Sequence, residues 1–296
     1  MNAFGLADTW GCPEVVLNAV EVGYRVVEPL GVETPLVVEI PHASIALDPE
    51  SIATLTAPAR CVGQDADLYV DELYADAAEL GATVLVAEVS RYVCDLNRAE
   101  TDIDAAAVSS APKDAPALPH GLIWRRSTDG QAVLAKPLDD QEFQRRMVRY
   151  YRPYHQTLSD MVEAKRARFG FALVLAAHSM PSSGRVGHLD SGNDRADVVP
   201  GSRGGTTAQA EMIRIPEELA QRRNWSVVHD QPYRGGFTTG FWGQPQRQIH
   251  AVQVELNRRL YMDELTLSRR PGGFEQTRQY CRELVQALSR FRPASA

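Results

Sequence analysis

Two histidines directly follow predicted buried strands, at the strand ends where α/β proteins collect ligand-binding side chains. His42 follows the apolar run at residues 35–40, and His178 follows the run at residues 171–177. Two imidazoles and one carboxylate, with water in the fourth position, form a typical catalytic zinc site. The other five histidines have no such placement, and we interpret them as structural or solvated side chains. His42 and His178 therefore predict a metal centre.

Spacing does not identify the carboxylate that such a centre needs. The local HxxE pattern of many zinc hydrolases is absent, because Ile45 occupies the position of the glutamate. The candidates are four acidic residues near His42 in the sequence: Glu39, Asp65, Asp67 and Asp71. Acidic residues are also common at a helix start, where they complement the helix dipole. Spacing alone slightly favours that second interpretation for the aspartates.

Another predicted strand, at residues 82–89, leads into side chains suited to a carboxylate ligand. Arg98 offers a bidentate fork, Asn97 adds one donor and one acceptor, and Arg91 supplies a second positive charge. The alternative is a local ion pair between Asp95 and Arg98 at a turn, which we would favour for this motif in isolation.

A carboxylate also stands at the end of the fourth predicted strand. Glu255 follows the run at residues 250–254. A carboxylate beside metal-bound water is the usual general base of amide hydrolysis. The alternative is an ion pair with Arg258 or Arg259.

Residues 232–240 form a glycine-rich turn that carries one cation, Arg234. This turn is not a nucleotide-binding loop, because GxxxxGK[ST] occurs nowhere in the chain. Residues 201–205 fail the same test. Both turns nevertheless predict backbone donors that can approach an anionic substrate.

The elements that position these side chains alternate between strands and helices, which predicts an α/β layered fold. The apolar runs predict strands at 35–40, 82–89, 171–177 and 250–254. The helical patterns lie at 67–80, 139–168, 207–223 and 274–291, with a kink or break at Pro153 in the second. Residues 105–117 and 182–207 read as surface loops.

The composition excludes several classes of function. The 296 residues carry a net charge of −7, which disfavours nucleic acid as a partner. No apolar run approaches the ~20 residues that span a bilayer, so we expect no membrane partner. Residues 1–10 lack a signal-peptide pattern. The four scattered cysteines, Cys12 among them, fit buried thiols in a reducing, cytoplasmic compartment. We predict one domain over residues 1–296, and the oligomeric state stays open.

Six segments in this order resemble the N-formylglutamate amidohydrolase family, over nearly the whole chain from Tyr24 to Leu288. They are Pro41-His42-Ala43-Ser44, residues 65–74, Ser90-Arg91-Tyr92 with Asp95-Leu96-Asn97-Arg98, His178-Ser179-Met180-Pro181, residues 232–239 and Glu255-Leu256-Asn257-Arg258. Each motif is weak alone, and the combination is specific.

The resemblance implies a three-layer α/β/α fold of the zinc-peptidase type, with a mostly parallel or mixed central sheet. It implies a Zn²⁺-dependent amidohydrolase that removes the formyl group from N-formyl-L-glutamate, as in one route of histidine degradation. His42, His178 and Asp67 then become metal ligands and Glu255 the general base. The implied substrate-binding residues are Arg91, Asn97, Arg98, Ser179 and Arg234.

Two positions depart from the family pattern. Ala43 stands in a segment that is otherwise His-Ser-Gly-like, and Gly240-Phe241 stands where the family often has a basic residue. These departures keep two alternatives open. One is the same zinc chemistry on another N-acyl amino acid or a short peptide. The other, from a different class, is a non-catalytic protein that binds small anions.

Overall fold

A six-stranded sheet forms the centre of the computed structural model, which describes residues 23–112 and 114–294. Its strands are β1 Tyr24–Val27, β2 Leu36–Ile40, β3 Thr83–Ala87, β4 Ala172–Met180, β5 Val198–Gly201 and β6 Ile249–Asn257. The spatial order is β1-β3-β2-β4-β6-β5. The four predicted strands are the four central ones and run parallel to one another, whereas β1 and β5 are antiparallel edges.

Helices cover both faces of this sheet, so the predicted α/β/α layering is confirmed. They are α1 Pro49–Ile52, α2 Ala59–Asp65, α3 Val70–Leu73, α4 Asp140–Arg146, α5 Arg152–Phe169, α6 Ala210–Gln221, α7 Phe237–Trp242 and α8 Pro271–Arg290. Buried side chains of α3, α6 and α8 pack on one face of the sheet, and those of α5 and α7 on the other. A small hairpin, β7 Met262–Asp263 with β8 Ser268–Arg269, lies apart from the main sheet.

The helix predicted over residues 67–80 is wrong as a continuous element. The structure has only α3 and a 3-10 turn at Ala75–Ala77 in this stretch. Tyr69 adopts a left-handed conformation, with φ of 69°, and breaks the helix at its start. Before that break, the backbone N–H of Asp67 donates to the carbonyl oxygen of His42 over 2.8 Å. The segment is therefore tied to the end of β2 and cannot turn helical from Asp67 onwards.

The long helix predicted over residues 139–168 forms with an irregularity at the expected place. Asp139 caps its start by accepting the N–H of Glu142 over 2.9 Å. Just before Pro153, the π turn Met147–Tyr151 joins α4 to α5. The helical segment is therefore continuous and does not break into two separate helices. A π turn inserted in an α-helix accommodates such an interruption of the hydrogen-bond ladder.

The loop predicted over residues 182–207 contains the buried strand β5, so that prediction is wrong in its second half. β5 pairs with β6 in an antiparallel register in which Val198 lies opposite Leu256 and Gly201 lies opposite Gln253. Pro200 and Gly201, which are typical of turns, hide the strand pattern in the sequence. In the 105–117 loop, Ala107 and Val108 are buried.

The remaining helix predictions are confirmed within a few residues, as α6 and α8. Cys61, Cys94 and Cys281 are free and buried, as predicted. Residues 1–10 and Cys12 lie outside the described residues, and the single domain over 1–296 stays a prediction. In the described part of the chain, no helix combines the length and apolar character needed to cross a membrane.

Candidate active site and metal centre

The parallel strands deliver the predicted chemical side chains to one edge of the sheet. His178 on β4 and Glu255 on β6 are paired in register, so their side chains are neighbours. His42 follows β2 by two residues, and the chain after β3 leads to Arg91 and Asn97. These five side chains line one cavity of about 370 Å³.

Three ligand atoms converge in this cavity. His42 Nδ1 lies 3.2 Å from His178 Nδ1, His178 Nδ1 lies 3.0 Å from Asp67 Oδ2, and His42 Nδ1 lies 3.7 Å from the same oxygen. All three side chains are buried. Ligands of a tetrahedral zinc ion at 2.0–2.1 Å lie about 3.3 Å apart. The donor set and its spacing therefore fit a metal ion of this kind.

Asp95 fixes which nitrogen of His42 faces the ligand cluster. His42 Nε2 donates to Asp95 Oδ1 over 2.8 Å, and Trp124 Nε1 donates to Asp95 Oδ2 over 2.9 Å. Burial opposes ionisation of Asp95, but its interaction with His42 and the charges of Arg91 and Arg98 hold its pKa well below the usual range. An ionised Asp95 only accepts, so Nε2 carries the hydrogen and Nδ1 keeps its lone pair. This is the carboxylate–histidine arrangement that orients metal ligands.

Asp67 is the one acidic candidate, among the described residues, that meets both histidines. Burial disfavours its charge, yet the hydrogen bond from His178 and the charge of Arg91 keep its pKa well below the usual range. Arg258 Nη2 also donates to its Oδ1 over 3.0 Å. Asp67 makes no side-chain cap of α3, contrary to the helix-start interpretation.

The other three candidates point elsewhere. Asp65 accepts the hydroxyl of Tyr92 over 2.6 Å and the N–H of Thr128 over 3.1 Å. Asp71 lies 3.6 Å from the guanidinium of Arg25. Glu39 is buried inside the fold, where it accepts the hydroxyl of Tyr154 over 3.0 Å and burial raises its pKa to about 7.

Arg91 reaches into the ligand cluster. Its Nη2 contacts Nδ1 of His42, its Nη1 donates to the carbonyl oxygen of Asp65 over 3.1 Å, and its guanidinium lies 4.8 Å from the centre of the Trp124 ring. The guanidinium and a bound metal ion thus compete for the same histidine lone pair. Its Nε lies 3.6 Å from Asp95 Oδ2, which gives the guanidinium an anionic partner nearby.

Asn97 is engaged entirely by the protein. Its Oδ1 accepts the N–H and the hydroxyl of Thr238, over 3.1 and 3.0 Å, at the start of α7. Its Nδ2 lies 3.1 Å from His178 Nε2. A Cβ atom at Gly236 would overlap this amide, which explains the glycine there. Asn97 therefore joins α7 to the ligand cluster.

Two guanidiniums of the cavity lack an acidic partner among the described residues. Arg98 donates only to carbonyl oxygens, from Nε to His120 over 2.8 Å and from Nη1 to Asn97 over 3.0 Å. The Asp95–Arg98 ion pair expected of an isolated turn does not form. Neither Arg98 nor Arg234 has an ion pair within residues 23–112 and 114–294. Both line the cavity, where an anionic ligand can reach them.

Glu255 is buried, and burial raises its pKa to about 7, against the opposing charge of His178. Its Oε1 accepts the side-chain N–H of Gln253 over 2.9 Å. The alternative of an ion pair with the following arginines is wrong, because Arg258 pairs with Asp67 and Arg259 pairs with Asp197.

The two glycine-rich turns use backbone donors on the protein itself. The N–H groups of Ser202 and Gly204 donate to the carboxylate of Asp230, over 2.7 and 2.8 Å. The N–H of Gly236 donates to Gln253 Oε1 over 2.8 Å. The expectation that the 201–205 turn serves a substrate is therefore wrong for these donors.

Ser179 lies in the cavity wall, where its hydroxyl accepts Arg258 Nε over 3.3 Å. Position 240 lacks a cation of its own, but the guanidinium of Arg203 lies against Gly240.

Several lining residues were missed from the sequence: Tyr233, Gln253, Arg258, and two of the histidines set aside as uninformative, His120 and His188. Only Gln253 had a usable signal, since alternate residues of a strand share a face and Gln253 precedes Glu255 by two positions.

Comparisons with known proteins identify the family of this chain. A family model described as N-formylglutamate amidohydrolase matches residues 34–262. N-formylglutamate deformylases of Pseudomonas aeruginosa and Pseudomonas putida are 34% and 31% identical over 258 residues, which cover 86% of this chain and 92% of each relative. The crystal structure of an N-formylglutamate amidohydrolase from Ralstonia eutropha JMP134 matches with a TM-score of 0.81 at 29% identity, covering 90% of this chain and 97% of that one.

Proposed function

The chain belongs to the N-formylglutamate amidohydrolase family, and on that premise we propose that it hydrolyses N-formyl-L-glutamate to formate and L-glutamate. One observation carries the proposal: His42, Asp67 and His178 converge within 4.8 Å in the cavity that also holds Glu255. The proposed cofactor is Zn²⁺, held by these three side chains. Bound zinc lowers the pKa of a coordinated water and polarises a carbonyl oxygen.

Glu255 is the proposed general base. A base works best when its pKa lies near the working pH, and burial raises the pKa of Glu255 to about 7. Its carboxylate takes one proton from the attacking water. It then passes that proton to the amide nitrogen as the carbon–nitrogen bond breaks, so that formate and the free amino group leave.

The proposed substrate carries two carboxylates. The cavity offers two guanidiniums, Arg98 and Arg234, that have no acidic partner in the part of the chain that the structure describes. A charged hydrogen bond of this kind contributes about 1.5–3 kcal/mol. We assign one carboxylate to each. Arg91 is the proposed donor to the carbonyl oxygen as that oxygen gains negative charge. In this scheme Asn97 acts through its contact with His178, and Ser179 acts through its hydrogen bond with Arg258. The proposed catalytic unit is the single domain, residues 1–296.

The free buried cysteines, Cys61, Cys94 and Cys281, support a reducing compartment, and we propose the cytoplasm.

Formate release and zinc content test the proposed function. The wild-type protein, purified and loaded with zinc, is compared with His178→Ala and Glu255→Gln. We expect one zinc per chain in the wild type and in Glu255→Gln, loss of zinc in His178→Ala, and loss of turnover in both variants. A metal-free active wild type, or Glu255→Gln at full rate, overturns the proposal.

A substrate panel separates this enzyme from one that acts on another N-acyl amino acid. The panel contains N-formyl-L-glutamate, N-formyl-L-norvaline, which lacks the side-chain carboxylate, and N-acetyl-L-glutamate, which has a larger acyl group. Equal kcat/KM for N-formyl-L-norvaline and N-formyl-L-glutamate contradicts a site for two carboxylates.

A further inference from the structure

Gln253 is a buried polar side chain between the general base and the glycine-rich turn. It lies on β6 two residues before Glu255, so both side chains stand on the same face of the strand. Only 3% of Gln253 is exposed. A buried amide at this position requires partners for its oxygen and its nitrogen.

The hydrogen bonds fix the orientation of the amide. The backbone N–H of Gly236 can only donate, and it meets Gln253 Oε1 at 2.8 Å. Asn97 Nδ2, a second donor, lies 3.4 Å from the same oxygen. The amide nitrogen of Gln253 must therefore face Glu255, where it donates to Oε1 over 2.9 Å.

This bond makes the two oxygens of Glu255 unequal. Oε1 is occupied by Gln253, whereas Oε2 accepts no hydrogen bond from any residue in the described part of the chain. We infer that Gln253 is a positioning residue: it reserves Oε2 of Glu255 for the proton and ties the base to the turn that carries Arg234. This inference rests on the proposed function, because it takes Glu255 as the base.

Two substitutions separate the two bonds of Gln253. Gln253→Glu keeps the length and an acceptor for the N–H of Gly236, but it replaces the donor to Glu255 by a second carboxylate. Gln253→Met keeps the length and removes both bonds. The matched control is Gln279→Met, because Gln279 makes the same amide-to-carboxylate bond to Glu283 over 3.0 Å on an exposed helix surface.

A misplaced catalytic group typically costs up to about 100-fold in rate. We expect Gln253→Glu to lower kcat 10- to 100-fold with KM within about threefold of wild type. Its acid limb in the profile of kcat/KM against pH moves to higher pH, because the added carboxylate disfavours ionisation of Glu255. Gln253→Met lowers kcat and also raises KM, since the turn with Arg234 loses its anchor. Gln279→Met retains wild-type values.

Zinc content and the thermal midpoint accompany every assay, as readouts independent of turnover. We expect one zinc per chain in all variants, and Gln253→Glu carries the test if Gln253→Met fails to fold. If Glu255→Gln is inactive but Gln253→Glu keeps both kcat within about threefold and the wild-type pH profile, the inference on Gln253 fails and the proposed function stands. A wild type that cleaves no member of the substrate panel overturns both.

Discussion

Asp95→Asn tests whether the tautomer of His42 is what prepares the metal centre. The substitution keeps size and shape but makes the side chain neutral. If the amide oxygen faces His42, the amide nitrogen meets the indole N–H of Trp124, and two donors face each other. If the amide nitrogen faces His42, it pairs with a lone pair on Nε2 and leaves hydrogen on Nδ1. The first arrangement leaves a buried donor unsatisfied, and the second removes the ligand lone pair.

Each arrangement has a predictable cost. Loss of a partner that orients a metal-binding histidine lowers metal affinity by about 10- to 100-fold, or roughly 1.4–2.7 kcal/mol. A buried unsatisfied donor costs about 1–3 kcal/mol of stability. Competition with a chromophoric chelator measures the zinc affinity of Asp95→Asn at neutral pH, and urea unfolding of the metal-free protein measures its stability.

Asp65→Asn is the matched control. Asp65 is also buried and also accepts an aromatic donor, the hydroxyl of Tyr92, but its side chain does not touch His42. We expect this variant to lose stability while its zinc affinity stays near wild type. Equal zinc affinities of Asp95→Asn and Asp65→Asn would refute the role of Asp95, whatever their stabilities.

Three further predictions concern protons and charge. Burial raises the pKa of Glu255 to about 7, so kcat/KM of the wild type should fall as the pH drops below about 7. Glu255→Gln should lower kcat by about 10²- to 10⁴-fold. A wild-type acid limb near pH 4.5, the ordinary pKa of a glutamate, contradicts this assignment. Burial likewise raises the pKa of Glu39 from 4.5 to about 7, so the folded state holds this proton more tightly than the unfolded chain and stability declines as pH rises through 7. Glu39→Gln should therefore stabilise the metal-free protein by up to roughly 3 kcal/mol near pH 8.5 and by little near pH 5, as measured by urea unfolding. Arg98→Met and Arg234→Met should each raise KM for N-formyl-L-glutamate by about 10- to 100-fold, whereas the control Arg152→Met, which removes a surface ion pair with Glu100, should leave KM unchanged.

The strands of this fold were predictable because buried parallel strands have a local signature. The runs at 35–40, 82–89, 171–177 and 250–254 are short, apolar and followed by polar residues, and all four became central strands. β5 was not predicted, because it is an edge strand that contains Pro200 and Gly201, two residues that signal a turn. The helix at 67–80 failed because its apolar spacing is real but Tyr69 interrupts the backbone. Periodicity reports which side chains are buried, and it does not report where the backbone changes direction.

The two histidines of the candidate centre were predictable for the same reason, since strand ends in a parallel sheet meet at one edge, whereas spacing left the choice of Asp67 open. The groups that orient them were not, because each comes from a distant segment. Asp95 is 53 positions from His42, Asn97 is 141 positions from Thr238, and Arg258 is 191 positions from Asp67.

The alternatives considered from the sequence were ion pairs between charged residues that are close together along the chain. In the structure these residues have other partners. Arg258 is three positions from Glu255 in the sequence but forms its ion pair with Asp67. Asp95 was expected to pair with Arg98, and it accepts a hydrogen bond from His42. Because Arg258 pairs with Asp67, Glu255 has no ion pair among the described residues, and burial raises its pKa to about 7, as a base requires. Because Arg98 pairs with no carboxylate of residues 23–112 and 114–294, it stays available to an anionic ligand. The pairs that do not form are thus as important to the chemistry as those that do, and a sequence read segment by segment cannot reveal them.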